Sequence, residues 1–281
     1  MYLTRYKYNN LCFNSKKQSG FTLIEMAVVL VIVGLLVGSF MGTFASRVET
    51  TRRDNAKKQI EEIKSAILGF ASAKGRLPCP ATALSDGEAD PEAGGVCARQ
   101  HGFVPRKTLG INGAYNQDGL LIDSWGNPVR YSVTTANASA FTKDVVPGAG
   151  GMRDVGMGTL APDLIICDAD SDSGTDCTPA VGGPNTLIEN ATFIVLSLGK
   201  DGSDFVTNVA PNSDQGENAG EVDVPVNPAG ENVAYLVGDN RVFVSRNYSS
   251  VDSAAGQFDD LIIWGSPYVL YSRMIDADQL P

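Results

Sequence analysis

Three groups of residues in this sequence have types and spacing suited to chemistry: an acid in front of an apolar run, an alternating acidic loop, and a solitary histidine. Glu25 stands at the threshold of the stretch from Met26 to Ser46, 21 residues without a charge. A carboxylate at the bilayer centre costs about 2.5–3.5 kcal/mol on insertion scales, so such an acid calls for a partner. No basic residue follows within the next two helical turns to supply one. In "CDADSDSGTDC", residues 167–177, Asp168, Asp170 and Asp172 alternate as the hard oxygen donors of calcium loops do. The loop departs from EF-hand spacing, with its glycine at 174 and no closing glutamate, so a solvated acidic loop pinned by a disulfide stands beside the calcium reading. His101, in "ARQHGFV", has neither a nucleophile elbow nor a metal-ligand partner at a fixed spacing, and reads as a loop residue or a neighbour of a disulfide. "PGAGGMRDVGMG" lacks the lysine and the strand-to-helix setting of a phosphate loop. The sequence offers no catalytic constellation, and the expectation is a protein that is not an enzyme.

The elements that must position these residues begin with the apolar run. At ~1.5 Å per residue it spans a hydrocarbon core of roughly 30 Å as a helix. Residues 1–20 contain Arg5, Lys7, Lys16 and Lys17 and no acid, an asymmetry that places the N-terminus in the cytoplasm and the remainder outside. A secretory signal has its apolar core before the cleavage site; here the order is inverted. Beyond the run, Ala56, Ile60, Ile63, Ile67 and Phe70 recur at steps of four, three, four and three, so the helix continues with one apolar face. Lys57 with Glu61, and Lys58 with Glu62, are spaced for ion pairs on its other side. "GRLP" stops it, since Gly75 can end a helix and Pro78 restricts Leu77. Strands are expected at 129–135, 191–198, 232–237, 241–248 and 260–264, with "VGDNR" as a hairpin turn. Residues 146–187 read as a long surface excursion, and Ser266 with Pro267 open a short terminal helix. The fold class is α+β, an antiparallel sheet packed on the second half of a long N-terminal helix.

The segment "KKQSGFTLIEMAVVLVIVGLLVG", residues 16–38, resembles the class III signal of type IV pilins and of the pseudopilins of type II secretion. That resemblance implies a prepilin peptidase that cuts after Gly20 and methylates the new N-terminal Phe21. It also implies a role for Glu25, whose carboxylate would neutralise the N-terminal amine of a neighbouring subunit during assembly. Opposite charges paired in a low dielectric offset much of the cost of burying either alone. The competing reading is a single-pass anchor whose Glu25 snorkels to the headgroups. From Phe21 to Lys74 the spine would hold 54 residues, about 80 Å at ~1.5 Å per residue. Gly42 occupies the place where many major pilins carry a helix-kinking proline.

Loss of the leader would remove four basic residues and leave 18 against 32 acids, a net charge of −14. Such acidity disfavours nucleic acid as a partner. The leader also carries Cys12, so Cys79, Cys97, Cys167 and Cys177 remain. None of these is spaced as a zinc knuckle, and an oxidising exterior with two disulfides is the simpler account. Four cysteines permit three pairings; Cys79 with Cys97 and Cys167 with Cys177 close the shortest polar loops.

In the head, "DSWGNPVRY" (123–131) resembles a turn of the major pseudopilin of type II secretion. "SLGKDGSD" (197–204) and "FDDLIIW" (258–264) are similar to the two parts of that family's calcium loop, here about 55 residues apart. The resemblance thus implies Asp201, Asp204, Asp259 and Asp260 as calcium ligands, and Ca2+ as the cofactor to test. Trp125 and Trp264 read as core or turn anchors. The segments "GRLPCP", "GFVPRKTLGI", "DSWGNPVRY" and "FDDLIIWGSP" together resemble a group of large prepilin-type proteins.

The organisation expected is a leader (1–20), a transmembrane half-helix (21–46), an amphipathic half-helix (47–75) and a β-rich head (76–281). The function expected is that of a minor pseudopilin or minor type IV pilin in the bacterial inner membrane. Its head would lie in the periplasm or on an extracellular filament. Its partners would be other pilin or pseudopilin subunits, the prepilin peptidase and an inner-membrane assembly platform. A tip adhesin or substrate-binding head is the alternative.

Overall fold

The computed structural model describes residues 20–90, 95–97, 99–169, 177, 186–202, 214–219, 241–250, 253 and 256–281; of the side chains within them, those at 39–45, 217 and 219 are excepted. Two compact units are present, Met1–Glu49 and Thr50–Pro281.

Helix α1, Leu23–Lys74, contributes to both units. Among the described residues no helix is long and apolar enough to cross a membrane; side chains 39–45, within the charge-free run, lie outside the description. Gly75 ends α1 in the left-handed region at φ 71°, its N–H donating to the Ala71 carbonyl at 2.8 Å. A β-carbon there would sit 2.6 Å from the Val145 side chain, so glycine is required sterically as well as conformationally.

In the second unit the apolar face of α1 packs as the spacing predicts. Ala56, Ile60, Ile63, Ile67 and Ala71 are buried. Phe70 is only half-buried, under the Arg76 guanidinium at 5.6 Å from the ring centroid, and Leu68 takes its place in the core. Neither Lys57–Glu61 nor Lys58–Glu62 closes into an ion pair among the described residues, as befits exposed pairs whose ordering entropy cancels a weak attraction.

The head contains two sheets where one is expected. Strands β1 (His101–Phe103), β2 (Arg130–Val133), β5 (Phe193–Ser197) and β7 (Leu261–Trp264) form an antiparallel sheet in the order β1-β2-β5-β7. Strands β3 (Leu164–Cys167), β4 (Thr186–Ala191) and β6 (Val242–Val244) form a second in the order β4-β3-β6, with β3 and β6 parallel. The first sheet lies between two cores. Phe193 and Val195 join the α1 face, Tyr131, Leu270 and Met274 in one; Ile194 and Leu196 join Leu164, Ile166 and Phe243 in the other. All five β5 residues are therefore buried, which explains why "FIVLS" reads as an uninterrupted apolar run rather than an alternating one.

Residues 146–187 are correspondingly not all surface excursion, since Met152, Leu164, Ile166 and Cys167 are fully buried. His101 lies in strand β1 rather than a loop, its Nδ1 2.9 Å from the Ser132 hydroxyl. The helix expected after Ser266 is Pro267–Asp276. The strand expected at 232–237 and the turn at 237–241 fall outside the described residues apart from Arg241. Both disulfides pair as the shortest loops suggest, Cys79 with Cys97 and Cys167 with Cys177, at Cα separations of 5.2 and 5.7 Å.

Candidate functional site

Two places gather the residues singled out in the sequence. The first is the start of α1. Thr22 precedes the helix and Glu25 sits in its first turn, the spacing of a capping box. The Thr22 N–H donates to Glu25 Oε2 at 2.8 Å, the Thr22 hydroxyl donates to the same oxygen at 2.8 Å, and the Glu25 N–H donates back to Thr22 Oγ1 at 3.3 Å. "TLIE" carries that signal openly, and the sequence reading assigned Glu25 no local role. Phe21, Leu23 and Ile24 beside it are 80%, 89% and 71% exposed, an apolar surface that no described residue covers.

The second place is an acidic pocket where β5 and β7 begin to diverge. Asp201 follows β5, and Asp259 and Asp260 precede β7, so antiparallel pairing of Ser197 with Leu261 brings the two segments together across about 60 residues of sequence. Gly199, at φ 68°, makes this approach possible: a β-carbon there would lie 2.6 Å from Cγ of Asp259. The "DSWGN" turn braces the loop. Asp123 Oδ1 accepts from the Trp125 and Asn127 N–H groups, each at 2.9 Å. Asp123 Oδ2 accepts from the Ser197 hydroxyl at 2.6 Å, and the Asn127 side-chain amide donates to the Gly199 carbonyl at 2.6 Å. The turn's resemblance to its pseudopilin counterpart thus coincides with a bracing contact to the acidic segment.

One carboxylate oxygen from each of Asp201, Asp259 and Asp260 falls within 4.8 Å of the others, the only such acidic group among the described residues. Amides surround them. Gln215 Nε2 donates to Asp259 at 2.6 Å and to Asp201 at 3.2 Å, Gln257 Nε2 donates to Asp201 at 2.7 Å, and Asn218 Nδ2 donates to Asp260 at 2.8 Å. The Lys200 N–H donates to Asp259 at 2.7 Å. Burial, with the adjoining Asp259 carboxyl, pushes Asp201 up to about 7. Burial drives Asp260 well above the ordinary carboxylate range, although the buried Arg130 guanidinium opposes this. Asp260 Oδ1 is buried and has no hydrogen-bond donor among the described residues. Three crowded carboxyls with one orphaned oxygen suit a hard divalent cation, which would supply the missing positive charge. The resemblance to the pseudopilin calcium loop pointed to the acids but not to Gln215, Gln257 or Asn218, whose types are too common to signal anything without the fold. Asp204, Asp170 and Asp172 lie outside the described residues. Asp168 is half-buried beside the Cys167–Cys177 bridge.

The profile of the prokaryotic N-terminal methylation motif matches residues 15–41. The chain is similar to the type II secretion system core protein G of Pseudomonas aeruginosa, 29% identical over 120 residues, which is 41% of this chain and 74% of that protein. No solved structure matches it.

Proposed function

We propose, from the premise that this chain belongs to the type IV pilin and pseudopilin superfamily, that it is a minor subunit of a pilus-like filament. The observation that carries this reading is the methylation motif over residues 15–41, a span that contains Gly20, Phe21 and Glu25. Cleavage after Gly20 frees the Phe21 amine. The charge-free run holds the chain in the inner membrane, and Glu25 meets the Phe21 amine of a neighbouring subunit there. One carboxylate thus both caps the start of the helix through Thr22 and offers a counter-charge. Prepilin peptidase, other subunits and an assembly platform are the partners this mechanism requires.

Size favours a minor over a major subunit. If 120 residues are 74% of the core protein, that protein is about 160 residues long, against 281 here. The extra length also keeps a tip adhesin or substrate-binding head as a second reading. Asp201, Asp259 and Asp260 hold Ca2+ in this account, fastening the loop after β5 to the approach of β7. The N-terminal mass of protein extracted from the native membrane tests the reading. N-methyl-Phe21 is the expected terminus, and a chain left uncut at Gly20 in cells with active prepilin peptidase would overturn it.

A further inference from the structure

The ends of the two sheets are not treated alike. Strand β1 is bridged by Ala81, whose N–H donates to the Phe103 carbonyl at 2.8 Å and whose carbonyl accepts from the Phe103 N–H at 2.9 Å. Strand β6 is closed by the Asn218 side chain, which accepts from the Val244 N–H at 2.8 Å and donates to the Val244 carbonyl at 2.9 Å. Strand β7 is the last of its sheet, and no described residue pairs its outer edge. An unpaired edge is a template for another strand unless something covers it.

Two adjoining cavities of about 420 and 430 Å³ run along that edge, between β7 and α1, and share Lys57, Leu261 and Ile262. Their charged wall is predominantly basic. Arg53, Lys57 and Lys64 project along α1 at steps of four and seven residues, in a chain of net charge −10. Arg53 stacks over the exposed Tyr248 ring at 4.5 Å. Lys57 and Lys64 make no ion pair among the described residues. The acids that reach the groove are Glu61 and the buried Asp260. Ile262, Ile263 and Trp264 are only half-buried along it. Strand β4, also at a sheet end, carries Glu189 and no cation.

We propose that the groove between α1 and β7 is a docking site for an acidic, extended segment of another protein chain, which adds to β7 as a further strand. Charge complementarity selects the occupant: backbone pairing with β7 supplies sequence-independent affinity, and Arg53, Lys57 and Lys64 select acidic side chains flanking the added strand. The site uses neither Glu25 nor the membrane run, so it stands or fails apart from the assembly reading.

The test uses the whole chain in detergent and a labelled peptide of about ten residues alternating Glu and Val. Binding should be salt-sensitive and should slow exchange at the amides of 261–264 that face away from β5. The double variant K57E/K64E, altered only at side chains without ion pairs among the described residues, should weaken it on the order of tenfold or more. A peptide N-methylated at alternate backbone amides should fail to bind. Equal binding of a Lys/Val peptide, or of the N-methylated peptide, would overturn the proposal. So would slow exchange, in the protein alone, at those amides of 261–264 that do not pair with β5, since the outer edge would then be closed by its own chain or a second copy.

Discussion

The helix cap that Glu25 forms and the counter-charge proposed for it can be separated by a single substitution. Glutamine completes a capping box as well as glutamate does but carries no charge. If the carboxylate recruits a neighbouring amine, Glu25→Gln will be cleaved and methylated normally yet stay out of filaments. Thr22→Ala, which loses about 1 kcal/mol of capping, will still assemble. Filament incorporation of Glu25→Gln at the wild-type level would reduce Glu25 to a helix cap. A second residue-scale case is Gly199, whose left-handed backbone and contact with Asp259 exclude a side chain. Gly199→Ala should cost about 1–2 kcal/mol from the backbone alone, more with the displaced loop, read as a shift in the denaturant midpoint. A midpoint equal to wild type would mean that the approach of the two segments is not tight.

The acidic pocket is a property of paired elements. Folded Asp201 holds its proton to about pH 7, whereas an unfolded aspartate loses it near 3.8. Between those values the folded state binds more protons, so its stability falls as pH rises through this window. Asp260, raised further by burial, acts in the same direction. The cation-free head should therefore melt at a lower temperature at pH 8 than at pH 5.5 as far as this pocket contributes. Calcium should raise the melting temperature most at pH 8, with proton release on binding. Asp260→Asn should abolish the calcium effect and lessen the pH dependence. A calcium response that survives Asp260→Asn would place the cation elsewhere.

At the scale of the whole molecule, what the sequence made legible was what local physics decides. The end of α1 at Gly75, its buried stripe from Ala56 to Ile67, and the short disulfide loops follow from spacing alone. Strand β5 was visible because burial on both faces leaves an unbroken apolar run. Strands β1 and β3, "HGF" and "LIIC", were too short to stand out, and the parallel pairing of β3 with β6 is a tertiary choice with no local signature. That pairing turned a predicted single sheet into two. The acids of the pocket were found through resemblance; the amides that hold them required the fold.

The central claim is incorporation into a filament. The most direct measurement is quantitative mass spectrometry of purified pilus-like filaments from cells making this chain, compared with cells making an uncleavable Gly20 variant. The account predicts peptides beginning at N-methyl-Phe21 in the wild-type filaments, at a small fraction of the major subunit, and none from the variant. Wild-type protein processed at Phe21 in the membrane yet absent from every filament preparation would contradict it.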